Sequence, residues 1–336
     1  MKAIVYTEFG PPEVLHLAER PQPVPKDSEV LVRVHATPVA YGDLLARNFK
    51  DVTSREFNMP LPLLFPMRLV FGLRKPKVTI LGSEFAGEVE AVGSAVTRFK
   101  PGDQVMGYLG QRMGAYAEYV CIAESGSLAL KPANMSYAEA AAVPYGAIMA
   151  TSLLRRAHIQ PGQKVLINGA SGGIGSAAVQ LAKHYGAEVT GVCGAPRMAY
   201  VSSLGADHVI DYATEDFTQN GETYDLIFDV LGKSSFAACK NSLAPNGVYL
   251  LASFKTKALL QMLRTRMSGG QKVICAFADE KAAHLEFVGK LAESGAYKTV
   301  VDRCFPLEQA AQAHHYVESG SRTGAVVLLV EHSQPG

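Results

Sequence analysis

The chain has 336 residues, enough for about two domains at roughly 150 residues each. With 48% hydrophobic and 19% charged residues and a mean hydropathy of +0.08, it reads as a globular enzyme and not as a disordered or fibrous chain. Its 32 basic and 31 acidic side chains nearly cancel to +1, without the basic surplus that a nucleic-acid binder carries.

The N-terminal run Met1 to Tyr6 is too short before Glu8 to be a secretory signal. Lys2 to Tyr6 reads as a strand, and Pro21 to Pro25 as a loop. Glu29 to Ala36 alternates polar and apolar like a half-buried strand, as does Gly87 to Gly93, and Pro101-Gly102-Asp103 turns into a strand at Gln104–Met106. The most apolar stretch, Met59 to Leu73, is interrupted by Pro60, Pro62, Pro66 and Arg68 and cannot span a bilayer as a helix. The segment Phe57 to Leu73 is expected to be an irregular insertion: a lid over a lipophilic substrate, a membrane-touching patch or core packing. Residues 1–125 thus form a mostly β unit.

From about residue 135 strands and helices alternate. Val165–Ile167 is a fully apolar strand, a glycine-rich turn follows, and Ser176–His184 is a helix closed by Gly186. Strands recur at Glu188–Cys193, Val209–Ile210, Leu226–Phe228 and Val248–Leu251, and the tail adds a helix over Leu307–Glu318 and a strand over Ala325–Val330. Apolar strands alternating with amphipathic helices imply an α/β fold with a doubly wound parallel sheet. The expected division is 1–125, 126–275 and a C-terminal segment 276–336.

The turn Gly169-Ala170-Ser171-Gly172-Gly173-Ile174-Gly175 places Ala170, Gly172 and Gly175 on the A-x-G-x-x-G form of the dinucleotide fingerprint, after a strand and opening a helix. Small residues let the backbone approach a pyrophosphate, and the helix N-terminus offers it N–H groups and a positive dipole end. The next strand ends Val192-Cys193-Gly194-Ala195-Pro196-Arg197, without the carboxylate that would accept from the ribose of NAD. Arg197 instead offers a guanidinium suited to a 2′-phosphate, so NADPH is preferred and NADH is the lesser alternative. Cys193, at the strand end, reads as a small buried hydrophobe rather than a nucleophile. Five widely spaced cysteines without a CxxC pair (Cys121, Cys193, Cys239, Cys275 and Cys304) point to a reducing compartment, and the expected location is cytoplasmic.

Taken end to end, the chain resembles the medium-chain dehydrogenase/reductase superfamily, in its zinc-independent quinone oxidoreductase-like branch. The resemblance lies in Met1–Val5, Gly82–Val89, Phe99–Val105, Gly114–Tyr119, Ala140–Pro144, the glycine loop and Ser203–Tyr212. It implies a mostly β GroES-like catalytic domain, a Rossmann domain, a C-terminal segment that returns to the first domain, and a homodimer. It also implies pyrophosphate contacts at Gly172, Gly173, Ile174 and Gly175, adenosine contacts at Arg197 and Tyr212, and a cleft lined by Leu231 and Gly232. Two positions depart from the branch: Gly194 stands where Ser or Thr is usual, and Ala325 where a Lys often follows a glycine.

Zinc-dependent relatives hold their catalytic metal where this chain has Ala40, Ser83 and Tyr145, so no zinc or other metal is expected. Without a Lewis acid for an alkoxide, the easier reaction is hydride delivery to a quinone or an α,β-unsaturated carbonyl, which needs only hydrogen-bond donors and a proton source. Tyr41, in the loop after strand 29–36, is the first candidate donor and Tyr145 the second; either could instead simply pack in the cleft. Asp43 reads as an anchor of the loop, and His35 as structural. His314 and His315, adjacent on a helix, point apart and cannot share a metal. The expected partner is a small-molecule acceptor. The alternatives are an enoyl-thioester reductase and a non-catalytic NADPH-binding protein of the same fold.

Overall fold

A computed structural model describes residues 1–53, 57 and 59–332. Asn58, inside the apolar segment singled out above, lies outside the described residues.

The parallel sheet forms where the apolar runs predict it. Its strands are β1 (Lys164–Asn168), β2 (Glu188–Cys193), β3 (His208–Asp211), β4 (Tyr224–Asp229), β5 (Leu243–Leu251) and β6 (Lys272–Cys275). All neighbours are parallel in the order β3-β2-β1-β4-β5-β6, a doubly wound sheet that reverses between β1 and β4. Val165, Leu166 and Ile167 are completely buried, which is why this stretch reads as continuously apolar instead of alternating. The helix after β1, α1 (Gly173–His184), turns Ala177, Ala178 and Leu181 into the core.

The second sheet has seven strands and takes residues from both ends of the chain. Strand Glu29–Pro38 lies between Glu84–Val92 and Tyr119–Ala123, all antiparallel, and at its C-terminal end also pairs antiparallel with Ala325–Leu329, which pairs parallel with Val301–Pro306. The strands after residue 300 thus complete a sheet begun before residue 40. The two cores are not separate: Ala36, Ala86, Met106 and Val327 of this sheet belong to the same buried cluster as Ile167, Ala177 and Phe228 of the Rossmann half.

The apolar insertion departs from expectation. Residues Leu61–Leu63 form one 3-10 turn and Leu64–Phe71 a regular helix. Pro66 is the third residue of that helix, in the first turn, where a missing N–H breaks no intrahelical bond. Prolines that suggested irregular chain therefore start the helix. Sequence patterning also missed the helix Pro144–Leu154, whose nine buried residues leave little amphipathic contrast.

That helix sets how the halves meet. A Cβ at Gly146 would lie 2.4 Å from the carbonyl oxygen of Gly173, so the two backbones touch only because this residue has no side chain. Gln180, buried in α1, adds a second brace by donating to the Lys298 carbonyl (3.0 Å) and accepting from its N–H (2.8 Å). Gly146→Ala should force the helices apart and lower unfolding free energy by about 1–3 kcal/mol, read as a shift in the urea midpoint; an unchanged midpoint would mean the contact is slack.

Candidate active site

On the catalytic side, strand Glu29–Pro38 runs into Val39 and Ala40 and then the helix Tyr41–Arg47. Ala40 cannot cap this helix through its side chain. Asp43 reaches back instead: one carboxylate oxygen accepts the Ala40 N–H (2.8 Å) and the other the Gly82 N–H (2.9 Å). The Tyr116 hydroxyl also donates to it. Asp43 is fully buried, and burial pushes its carboxyl up to about 6 against these three donors.

Behind Asp43 runs a chain of buried polar groups. Arg47 donates to Nδ1 of His314 at 2.8 Å, and Nε2 of His314 lies 3.1 Å from the Tyr116 hydroxyl. An arginine can only donate, so Nδ1 accepts, Nε2 carries the hydrogen and donates to Tyr116, and the Tyr116 hydrogen is left for Asp43. Burial, with help from Arg47, holds the imidazole down at about 3, so it is neutral. Arg47 also donates to the Gly10 carbonyl (3.0 Å) and pairs with Glu318. Asp43 is thus the anchor that the sequence suggested. His314 and His315 do point apart, His315 facing Glu13 at 2.6 Å.

The second carboxylate of this region is Glu84, buried at the start of strand Glu84–Val92, with its side chain accepting the Tyr145 N–H at 2.7 Å. Burial, and next the charge of Asp43, raise its carboxyl to about 8. Tyr145 is half-buried near the start of helix Pro144–Leu154, its ring 5.7 Å from that of Tyr108. Burial first, then Glu84 and Glu280, push its phenol up to about 12, so at neutral pH it is a donor and not a base. Its neighbour Gly146 is the residue that touches Gly173, so the helix that carries Tyr145 runs beside the cofactor loop. Tyr41 instead opens its helix at 56% exposure.

The cofactor loop is shaped by absent side chains. Gly169 has φ +93°, and a Cβ there would meet Leu231 at 2.9 Å; a Cβ at Gly175 would lie 2.1 Å from the Gly169 carbonyl oxygen. Gly173 faces open space, and the nearest atom to a Cβ at Gly172 would be 3.6 Å away. The loop is therefore closed towards the strand and open towards a ligand, as a dinucleotide cradle requires. The N–H groups of Gly169 and Ala170 both donate to the Val192 carbonyl (3.1 and 3.0 Å), tying the loop to the end of β2. Ser171 and Ile174 are half-buried, whereas Ala170 is wholly buried. Leu231, 47% exposed, covers Gly169, and Gly232 (φ +63°) donates its N–H to Asp229 at 3.0 Å.

At the adenosine end Tyr212 follows β3 with its N–H on the Cys193 carbonyl (3.1 Å), and a Cβ at Gly194 would sit 3.2 Å from its hydroxyl. Gly194 therefore leaves room for the Tyr212 phenol where a larger residue would press on it. Cys193 is buried and its thiol is raised by burial. The half-buried Arg197 donates to the Arg322 carbonyl (3.1 Å) and to that of Gly320. This brings Arg322 beside it, held below the ordinary guanidinium range by burial and then by the charge of Arg197. Sequence reasoning missed Arg322, because 125 residues separate the two arginines. A basic residue beside Gly324 was its one sequence signal.

The positions that the family resemblance assigns to zinc ligands, Ala40, Ser83 and Tyr145, carry a methyl, a hydroxyl and a phenol. That donor set, lacking thiolate and imidazole, does not fit zinc. Among the described residues no cluster of three His, Cys, Asp or Glu side chains could hold a metal ion.

A doubly wound sheet carrying an open A-x-G-x-x-G loop, set against a β domain with buried carboxylates and a tyrosine at the junction, defines a dinucleotide-dependent oxidoreductase. Residues 26–133 match the family described as alcohol dehydrogenase GroES-like domain, and residues 204–328 the one described as zinc-binding dehydrogenase. The 2-methylene-furan-3-one reductase of Solanum lycopersicum is 32% identical over 98% of this chain and 79% of its own length. The quinone oxidoreductase of Pseudomonas aeruginosa is 32% identical over 98% of this chain and 99% of its own. Among solved structures, the quinone oxidoreductase from Coxiella burnetii superposes with a TM-score of 0.82 at 28% identity, covering 98% of this chain and 99% of that one. The chain belongs to the medium-chain dehydrogenase/reductase superfamily, in its quinone oxidoreductase-like branch.

Glu84 makes a stability prediction. The folded protein keeps its proton up to about pH 8, while the unfolded chain loses it near 4.5, so the native state binds more protons in between and stability falls as pH rises. His314, neutral when folded, has the opposite effect, but only below its ordinary value of 6.5. Between pH 6.5 and 8 the protein should therefore lose about 1–2 kcal/mol, and Glu84→Gln should abolish most of that loss in urea titrations. A wild-type profile that stays flat over this window would refute the assignment.

Proposed function

We propose that the protein is an NADPH-dependent, zinc-independent reductase of quinones or α,β-unsaturated carbonyls. The observation that carries the reading is the open loop at Gly172–Gly175 against the helix that carries Tyr145, on a junction whose donor set does not suit zinc. The names of relatives agree, among them an NADPH-dependent alkenal/one oxidoreductase of Arabidopsis thaliana and the quinone oxidoreductases above.

Gly172, Gly173, Ile174 and Gly175 would hold the pyrophosphate at the N-terminus of α1. Tyr212 and Gly194 would bound the adenosine. Arg197 and Arg322 would grip the 2′-phosphate, whose charge relieves the repulsion between the two guanidiniums; this makes up for the serine and lysine missing at Gly194 and Ala325. Cys193 packs beneath, and Leu231 and Gly232 line the cleft. The bound cofactor supplies the hydride. Tyr145, protonated and beside the loop, donates to the acceptor oxygen as charge develops there, and Tyr41 stands second because its ring is exposed. Asp43 and Glu84 hold the Ala40–Tyr41 loop and the Tyr145 backbone and do not themselves transfer protons.

A cavity of about 230 Å³ next to Gly232, lined by Lys255, Lys257 and Ser234, favours a second reading, in which the acceptor is an enoyl thioester whose carrier phosphate meets the lysines. Strand β6, at the sheet edge, and the exposed stripe Leu260, Leu263 and Met267 beside it support a homodimer joined through this sheet. Five free thiols suit a reducing, cytoplasmic setting, and among the described residues no helix is long and apolar enough to cross a membrane.

Chelator-treated protein should oxidise NADPH with quinones or enones and not with saturated ketones. Loss of activity on chelation would overturn the metal-free reading; a clear preference for enoyl-CoA would promote the thioester reading; and NADPH binding without turnover would leave a non-catalytic binder. Tyr145→Phe should lower kcat by about 100-fold with a smaller loss for Tyr41→Phe. Arg322→Ala should raise KM for NADPH by about tenfold or more and leave KM for NADH unchanged. Equal effects on both cofactors would remove Arg322 from the phosphate site.

A further inference from the structure

The helix Leu64–Phe71 is apolar on both its buried and its exposed faces. One face is committed to the catalytic core: Phe71 is buried with its ring 4.9 Å from Phe49, and Leu64 and Met67 are half-buried beside it. The other face carries Leu61, Phe65, Leu69, Val70 and Leu73, each between 43% and 63% exposed. Phe65 and Leu69 are one turn apart, with Leu61 a turn earlier, so these side chains form one continuous apolar ridge.

The segment that bears the ridge carries a single sign of charge. From Phe57 to Ser83 there is no Asp or Glu, whereas Arg68, Arg74, Lys75 and Lys77 are all present, in a chain whose net charge is only +1. Arg74 and Lys75 are exposed just past the helix, and Lys77 donates to the Leu69 carbonyl at 2.8 Å. The turn between them is tight, since a Cβ at Gly72 (φ +109°) would lie 2.0 Å from the Lys75 carbonyl oxygen. The cations are thus held at the end of the ridge rather than on a free tether.

We infer that the ridge Leu61–Leu73 and its basic collar form a docking surface for an anionic lipid bilayer. Apolar side chains that enter the acyl boundary together with cations at headgroup level are what a membrane-surface helix needs. A second copy of this chain is the poorer occupant, because a two-fold contact through the ridge would set Arg74 and Lys75 against like charges. The ridge also lies in the excursion between two parts of the site: the chain leaves after helix Tyr41–Arg47 and returns at Gly82, whose N–H Asp43 binds. Docking would therefore put the bilayer on the catalytic half of the molecule. The inference goes beyond the reductase reading and does not need it.

The test is co-sedimentation of the full chain with vesicles of phosphatidylcholine containing 30% phosphatidylglycerol, against vesicles of phosphatidylcholine alone. Binding is expected to the anionic vesicles only, to weaken as salt is raised, and to fall about 25-fold in R74Q/K75Q, at about fivefold per cation. Phe65→Ser with Leu69→Ser should lose it as well, while keeping the wild-type thermal midpoint and the wild-type turnover of a water-soluble acceptor. The thermal midpoint is the control for folding, so the vesicle result stands even if no acceptor is turned over. Absence of wild-type binding overturns the proposal, as does equal binding by the serine variant. So does a change in oligomeric mass in the serine variant by sedimentation, which would show that a second copy covers the ridge.

Discussion

The rest of the structure depends on a backbone contact with no room for a methyl group. Where Gly146 meets Gly173, the helix that carries Tyr145, tied to the catalytic sheet through Glu84, is pressed against the helix that follows the cofactor loop, and the two halves are joined through it. Around it the buried cluster runs without interruption from Ala36 and Ala86 in one sheet to Ile167 and Phe228 in the other. The geometry between acceptor and hydride source is therefore set by packing, to within the play of a close-packed interior.

The buried carboxyls of the catalytic half hold its backbone in place. Asp43 spends both oxygens on backbone N–H groups, and Glu84 spends one on the Tyr145 N–H. Two carboxyls at such close quarters cannot both ionise cheaply. The protein accommodates this by keeping Glu84 protonated and surrounding Asp43 with donors. The tyrosine beside them is left protonated and able to donate a hydrogen bond.

How much of this was legible in the sequence follows from how local each signal is. Strands β1 and β2, the glycine loop and α1 were legible because their pattern is short-range and their burial two-sided. Asp43 could be read as an anchor because it stands three residues from Ala40, whose N–H it accepts. Arg322 could not be placed, since only folding brings it to Arg197, and the buried partners of His314 lie in two distant segments for the same reason. The helix at Leu64–Phe71 was misread because proline was weighed as a breaker without regard to its position in the first turn. Its outward-facing apolar side was then invisible, since orientation is a property of the packed molecule.

The hydrogen-bond chain from Arg47 through His314 and Tyr116 to Asp43 joins residues 267 positions apart. It gives the site an order of assembly during biosynthesis. The loop bearing Ala40 and Tyr41 leaves the ribosome early, but the imidazole that orients Tyr116 arrives only with the last helix, and the strand beside it, Ala325–Leu329, later still. Until then Arg47 has only the Gly10 carbonyl to donate to, and the sheet at Glu29–Pro38 has an open edge. The nucleotide-binding half, contiguous in sequence, can close first. A nascent chain would thus hold the glycine loop and the sheet behind it before it has either Arg322 or a catalytic site, and any product that stops short of the last helix would carry the first and lack both others.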